Sequence, residues 1–271
     1  MVDTAQPSRA AARPEPIQWR TFRRELIAMT LLFGIYKFGR VLDNHDATTA
    51  LSNGRKVLHW EHVIGLPSEL SAQHAVLTAH WITQFANVYY AAVHFPATIA
   101  FLVWMFLRRP LIYPAVRRAM ISMTTIGLVM HLMFPLAPPR MYTDLGFVDT
   151  ARLYGPLNIY AGDPNHATLI NQYAAMPSLH VGWAMLVAAG LIASCRSKWR
   201  WLWLLHPTIT VIAVVGTANH YWIDGIIACL LLALVALAMG RVPPVRWNRL
   251  VPARLRHTEK PPHSTREPYA A

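Results

Sequence analysis

His220 and Asp224 lie four residues apart in "HYWID". On a helix that spacing puts both side chains on one face. A carboxylate beside an imidazole fixes its tautomer and leaves the other ring nitrogen basic, as a nucleophile or a general base requires. His180, in "PSLH", supplies a second imidazole suited to protonating a leaving group. Pro177 fits the first turn of a helix. The free N–H groups of such a turn favour an anion, and the Ser178 hydroxyl adds a donor. Arg140, which closes "PLAPPR", offers a planar fork for phosphate oxygens. Lys37 and Arg40, three apart, can add charge from an earlier segment. Two histidines, one carboxylate and several cations around a helix start describe a phosphoryl-transfer site that needs no metal and no cofactor.

Blander readings stand beside this one. The chain has 13 histidines, so an HxxxD pair also arises by chance. Lys37 and Arg40 can snorkel to a membrane surface, and Arg140 can anchor a loop to lipid heads. His59, His62, His74, His80, His94 and His131 match no compact metal-ligand spacing. Asn87, Tyr90 and His94 form a polar stripe at helical spacing. With Tyr221 they are candidates for a substrate pocket, although hydrogen bonding between helices explains the stripe equally well.

These residues need elements that bring them together. Of the 271 residues 54% are hydrophobic and 14% charged, against about a quarter charged in soluble domains. Six apolar segments approach the roughly 20 residues of a membrane span: about 25–42, 86–107, 119–137, 177–194, 201–219 and 221–240. The expected fold is an all-α polytopic membrane protein. It is a six-transmembrane-helix bundle over 25–240, with an extracytoplasmic interfacial helix within 43–85. Residues 1–24 read as a disordered cytosolic tail without a signal peptide, and 241–271 as a basic cytosolic tail. Cys195 and Cys229 read as packing residues.

The net charge of +12 first suggests nucleic acid. With a cytosolic amino terminus, however, the loop and tail cations fall on the cytosolic side except Arg55, Lys56, Arg140 and Arg152. That bias sets an orientation, and no nucleic-acid motif accompanies the charge. In this topology Arg140, Ser178, His180, His220 and Asp224 share one extracytoplasmic level.

"PSLH" followed by "HYWID" resembles the second and third signatures of the type 2 phosphatidic acid phosphatase superfamily, roughly P-S-G-H and S-R-x5-H-x3-D. "PLAPPR" and "AAMPSLH" look closer to the branch of inositol phosphorylceramide synthases, with sphingomyelin synthases as relatives. The resemblance spans about 25–240. It implies that His220 attacks phosphorus and forms a phosphohistidine, that Asp224 orients it, and that His180 protonates the leaving group and then activates the acceptor. Ser178 and nearby backbone would cradle the phosphate. Leu179 stands where the second signature has glycine, and Val214 where the third has arginine. The first signature, K-x6-R-P, is absent around Arg140, with Met133 and Met141 at its positions. These departures favour the synthase-like branch.

The expectation is a membrane enzyme acting on a phospholipid or polyprenyl phosphate, with a possible polyol acceptor, at the outer face of the cell inner (plasma) membrane. Head-group transfer is preferred and phosphatase action is the alternative. A transporter or a non-catalytic lipid-binding subunit are the rivals, and mutation of His220 separates them from an enzyme.

Overall fold

The computed structural model describes residues 19–42, 47–154 and 173–241. The expected tails at 1–18 and 242–271 lie outside the described residues. Among the described residues ten α-helices follow in order: α1 Trp19–Leu42, α2 Ala47–Val63, α3 Glu69–Leu77, α4 His80–Val88, α5 His94–Arg108, α6 Tyr113–Met133, α7 Thr150–Tyr154, α8 Leu179–Ser194, α9 Leu205–Gly216 and α10 Trp222–Arg241. A π-helical turn, Tyr89–Val93, joins α4 to α5 without a break. Short 3-10 turns cover Pro139–Met141, Thr143–Leu145 and Lys198–Leu204. Among the described residues all regular structure is helical, apart from one isolated bridge between Leu136 and Ala174.

Local chemistry sets the ends. Pro114 opens α6, where its missing N–H costs nothing. Pro135 follows the end of α6, and the residue before a proline is driven out of the helical region. The apolar segment expected to reach residue 137 stops as a helix at Met133, and the next stretch is a turn. Ser68 and Ser178 cap α3 and α8 by accepting from Ser71 N and Val181 N, both at 3.4 Å. The amino-terminal boundary also moves, because α1 begins at Trp19 inside the expected 1–24 tail. The stretch expected to hold one interfacial helix contains two, α2 and α3, and the start of α4.

The main core lies where α5, α6, α8 and α10 meet, around Phe101, Met105, Met123, Trp183, Leu186 and Val235. Close approach is possible because α8 presents Gly182 there; a Cβ on it would collide with Met123. The outside is also apolar: Leu31, Phe38, Ile99, Leu230 and Leu234 are all largely exposed. Exposure of so many large apolar side chains along three helices is unusual for a soluble monomer.

Among the described residues two helical stretches are long and apolar enough to cross a membrane, His80–Arg108 and Trp222–Gly240. The remaining expected spans fall short for physical reasons. α1 carries Arg23, Arg24 and Glu25 in its first half, and α6 carries Arg117 and Arg118 near its start. α8 and α9 have 16 and 12 residues.

Candidate active site

Three turns converge on His220. The chain leaves α9 at Gly216 and reverses sharply. Ala218 takes the left-handed conformation at φ 54°, and the N–H groups of Asn219 and His220 both return to the Val214 carbonyl. A left-handed residue just past a helix end is a common stop, though usually a glycine. The reversal places His220 directly before α10. The second turn, Pro135–Arg140, is tied to the first because Arg140 N donates to Ala218 O at 2.8 Å. The third, residues 173–178, is joined to the second by Leu136 N donating to Tyr173 O at 2.6 Å. It is joined to α10 by Ser178 N donating to Asp224 O at 3.1 Å. His131, near the end of α6, donates from Nε2 to Pro177 O at 3.1 Å.

His220 Nδ1 lies 2.9 Å from the Ala175 carbonyl oxygen and 3.1 Å from Asp224 Oδ2. A carbonyl oxygen only accepts, so Nδ1 carries a proton, and in the neutral ring Nε2 then holds the lone pair. This is the tautomer a nucleophilic imidazole requires. Asp224 is completely buried in the first turn of α10. Its Oδ2 also accepts from Tyr221 N at 2.9 Å, so it caps the helix that carries it. Glu61, from α2, accepts from a second amide of this helix start, Ile223 N, at 2.7 Å. Two carboxyl groups therefore accept from amides at the amino terminus of α10.

The His180 ring centroid is 5.7 Å from that of His220. Tyr90 at 4.5 Å, His94 at 5.0 Å and Phe95 at 5.7 Å also pack against it. Tyr90 and His94 reach it from the π-helical turn and the residue after it. Such insertions recur at functional sites because they shift the helix face by one residue. Both His94 ring nitrogens are buried and lack a hydrogen-bond partner.

The other expected site residues divide. Arg140 is buried beside the site, donating to Asn219 Oδ1 at 2.6 Å and lying 3.6 Å from Asp149. The Ser178 oxygen is the α8 cap already described. Tyr221 is fully buried and donates to Ala137 O at 2.6 Å. Asn87 is not among the rings around His180; it exchanges two 3.0 Å hydrogen bonds with Thr150 and ties α4 to α7. The side chains of Lys37 and Arg40 lie outside the described residues. Position 214, where the third signature has arginine, is a buried valine packed with Val181 and Val215. Among the described residues no group of three or more His, Cys, Asp or Glu is arranged to hold a metal ion.

Sequence reasoning passed over Ala175, Asn219 and Glu61. A backbone carbonyl has no sequence signature. Glu61 sits in a mixed polar stretch, and only the spacing of Ala50, Gly54, Val57 and Glu61 marks it as part of the buried face of α2.

No curated protein and no solved structure matches the chain. Residues 55–239 match the family model described as the PAP2 superfamily, whose members are phosphatases or phosphotransferases acting on phosphorylated lipids. The match covers more than half of the chain and takes in all three turns around His220, so this protein belongs to the PAP2 superfamily.

Proposed function

We propose that this protein is a lipid-phosphate phosphotransferase of the inositol phosphorylceramide synthase-like kind that works through a phosphohistidine on His220. The observation that carries the reading is the double contact on His220 Nδ1, from Ala175 O and Asp224 Oδ2, which leaves Nε2 as the nucleophile. Nε2 attacks phosphorus, and the bond from phosphorus to the leaving oxygen breaks as the His180 imidazolium gives that oxygen its proton. His180 then takes the proton of the acceptor hydroxyl. The acceptor oxygen attacks phosphorus, the phosphorus–nitrogen bond breaks, and both histidines return to their starting states. Asp224 stabilises the positive charge on His220 and holds its tautomer. The Ser178 hydroxyl and the first amides of α8 cradle the phosphate, with Arg140 at the edge, and no metal takes part.

Transfer is preferred over hydrolysis because cationic support is thin. Val214 replaces an arginine, and Arg140 is already engaged by Asn219 and Asp149. A phosphodiester carries one negative charge where a monoester carries up to two, so it suits such a site better. The protein would span the cell inner membrane six times with both termini cytosolic. α2 and α3 would lie at the outer surface, and the histidines at that level would meet a polyol or other alcohol acceptor.

The test uses purified protein in lipid nanodiscs, wild type beside His220→Ala. Phosphatidate, phosphatidylinositol and a polyprenyl phosphate are supplied with and without alcohol acceptors, and products are resolved by mass spectrometry. A new head-group lipid formed only with acceptor and lost in the variant is expected. Free phosphate lost in the variant assigns a phosphatase. Equal product from both proteins removes His220 as nucleophile.

A further inference from the structure

A cleft of about 380 Å³ runs between α1 and α5, floored by α6 and α8. On α1 its wall extends from Phe22 to Phe33, and on α5 from Phe106 back to Phe95. Each wall covers about 16 Å at the helical rise. An aromatic pair closes each end: Phe22 with Phe106 at 5.8 Å, and Phe33 with Phe95 at 6.2 Å between centroids. The floor is deeply buried, with Thr98, Met120 and Thr124 each no more than 3% exposed. Leu26 and Ile99, at the rim, are more than half exposed, so the cleft opens sideways onto the apolar exterior.

Its chemistry selects an uncharged occupant. The hydroxyls of Thr98 and Thr124 already donate to the carbonyls of His94 and Met120 within their own helices. Glu25 is neutralised by Arg117 at 2.6 Å and accepts from the Tyr113 hydroxyl at 3.0 Å. What remains facing the space is hydrocarbon. A single hydrocarbon chain, which carries no polar group, matches this lining and the length of about 16 Å.

One end of the cleft also adjoins the histidine cluster. Phe95 forms one end of it and packs edge-on against His180 at 5.7 Å. Trp183, one helical turn beyond His180 on α8, lines it and meets Phe95 at 5.8 Å. Charge follows the same axis, with Arg140 at the histidine end and neutral surface along the cleft. We infer that the α1–α5 cleft holds one hydrocarbon chain of the lipid whose phosphate reacts at His180 and His220, and so selects for a long chain. This rests on the lipid-phosphate reading of the site.

The experiment fills the cleft from either wall with Leu102→Trp and Met29→Trp in the full chain in nanodiscs. Turnover is measured on phosphatidate and phosphatidylinositol in dioleoyl and dihexanoyl forms. In parallel, a phosphatidate with a diazirine at the chain end is photolysed and the labelled peptides are sequenced. The expected result is a tenfold or greater loss on dioleoyl substrate with dihexanoyl turnover retained. Label should fall on α1 and α5 in the wild type and disappear in both variants. Equal loss on both chain lengths in both variants, or label elsewhere or unchanged by filling, overturns the cleft. Equal labelling by a diazirine phosphatidylcholine also overturns it, since the cleft would then be a general lipid seat. Failure of the wild type to turn over either lipid overturns the reading of the site and the inference with it.

Discussion

At the scale of single residues, Asp224 has two tasks that substitution separates. It caps α10 through Tyr221 N and it holds the His220 tautomer. Asp224→Asn keeps the size and an acceptor oxygen for the cap, but its amide can present N–H to the imidazole and favour the wrong tautomer. Activity is expected to fall on the order of 10⁴-fold with little change in Tm, read by product formation beside thermal unfolding. A parallel collapse of Tm would assign Asp224 to folding alone. Glu61 has a different consequence. Burial, then the hydrogen bond with the Glu69 carboxyl, push it up to about 9, against a pull downward from Ile223 N–H; Glu69 and Asp224 add charge repulsion. The folded chain keeps a proton there that the unfolded chain loses near 4.5. Folding therefore takes up a proton between those values. The stability owed to protonated Glu61 is full below about 4.5 and is lost as pH climbs to about 9. Glu61→Gln carries a permanently neutral group. Its Tm should decline less than that of the wild type from pH 5 to 9 by differential scanning fluorimetry. Parallel curves would refute a protonated Glu61.

At the scale of elements, α2 decides how tightly the outer turns are held. Gly54 lies on its buried face, where the hydroxyls of Tyr142 and Tyr221 and the Ala137 carbonyl converge. Tyr142 donates to Leu51 O at 2.8 Å and Tyr221 to Ala137 O at 2.6 Å, so neither ring can withdraw without losing a buried hydrogen bond. A Cβ at position 54 overlaps both hydroxyls. Gly54→Ala is expected to destabilise by about 1–3 kcal/mol, measured by thermal or denaturant unfolding in detergent. An unchanged midpoint would mean that α2 is not seated on the turns in solution. The π-helical turn at 89–93 accounts for Asn87: it splits the polar stripe with Tyr90 and His94, leaving Asn87 on Thr150 and sending the other two to His180.

At the scale of the whole molecule, the apolar exterior calls for a lipid solvent, and the six-span proposal makes it testable. Asp144 and Arg55 form an exposed ion pair beside the candidate site, while Arg196 follows α8 at its far end. In a background lacking Cys195 and Cys229, cysteine at 144 should react with a membrane-impermeant maleimide on intact cells. Cysteine at 196 should react only after permeabilisation. Labelling of both from the same side would refute the topology.

The helical, apolar character of the chain and the pairing of His220 with Asp224 were legible in the sequence by itself. The pair forms differently from the expected shared helix face: His220 lies in the turn before α10, and Asp224, in the first turn of that helix, reaches back to it and to Tyr221 N. The sequence also located the three turns, since "PLAPPR", "PSLH" and "HYWID" sit at breaks in apolar runs. Tertiary structure decided what those residues touch. That Ala175 shares the His220 proton, that Glu61 closes the start of α10, and that Tyr90 and His94 face His180 all depend on contacts between segments distant in the chain. Helix ends moved for a related reason. Apolar composition runs on through residues 134–137, but Pro135 denies the helix its hydrogen bonds, and the freed backbone instead holds the neighbouring turns. Hydrophobicity is a property of a segment and can be read in order; convergence on a site is a property of packing and cannot.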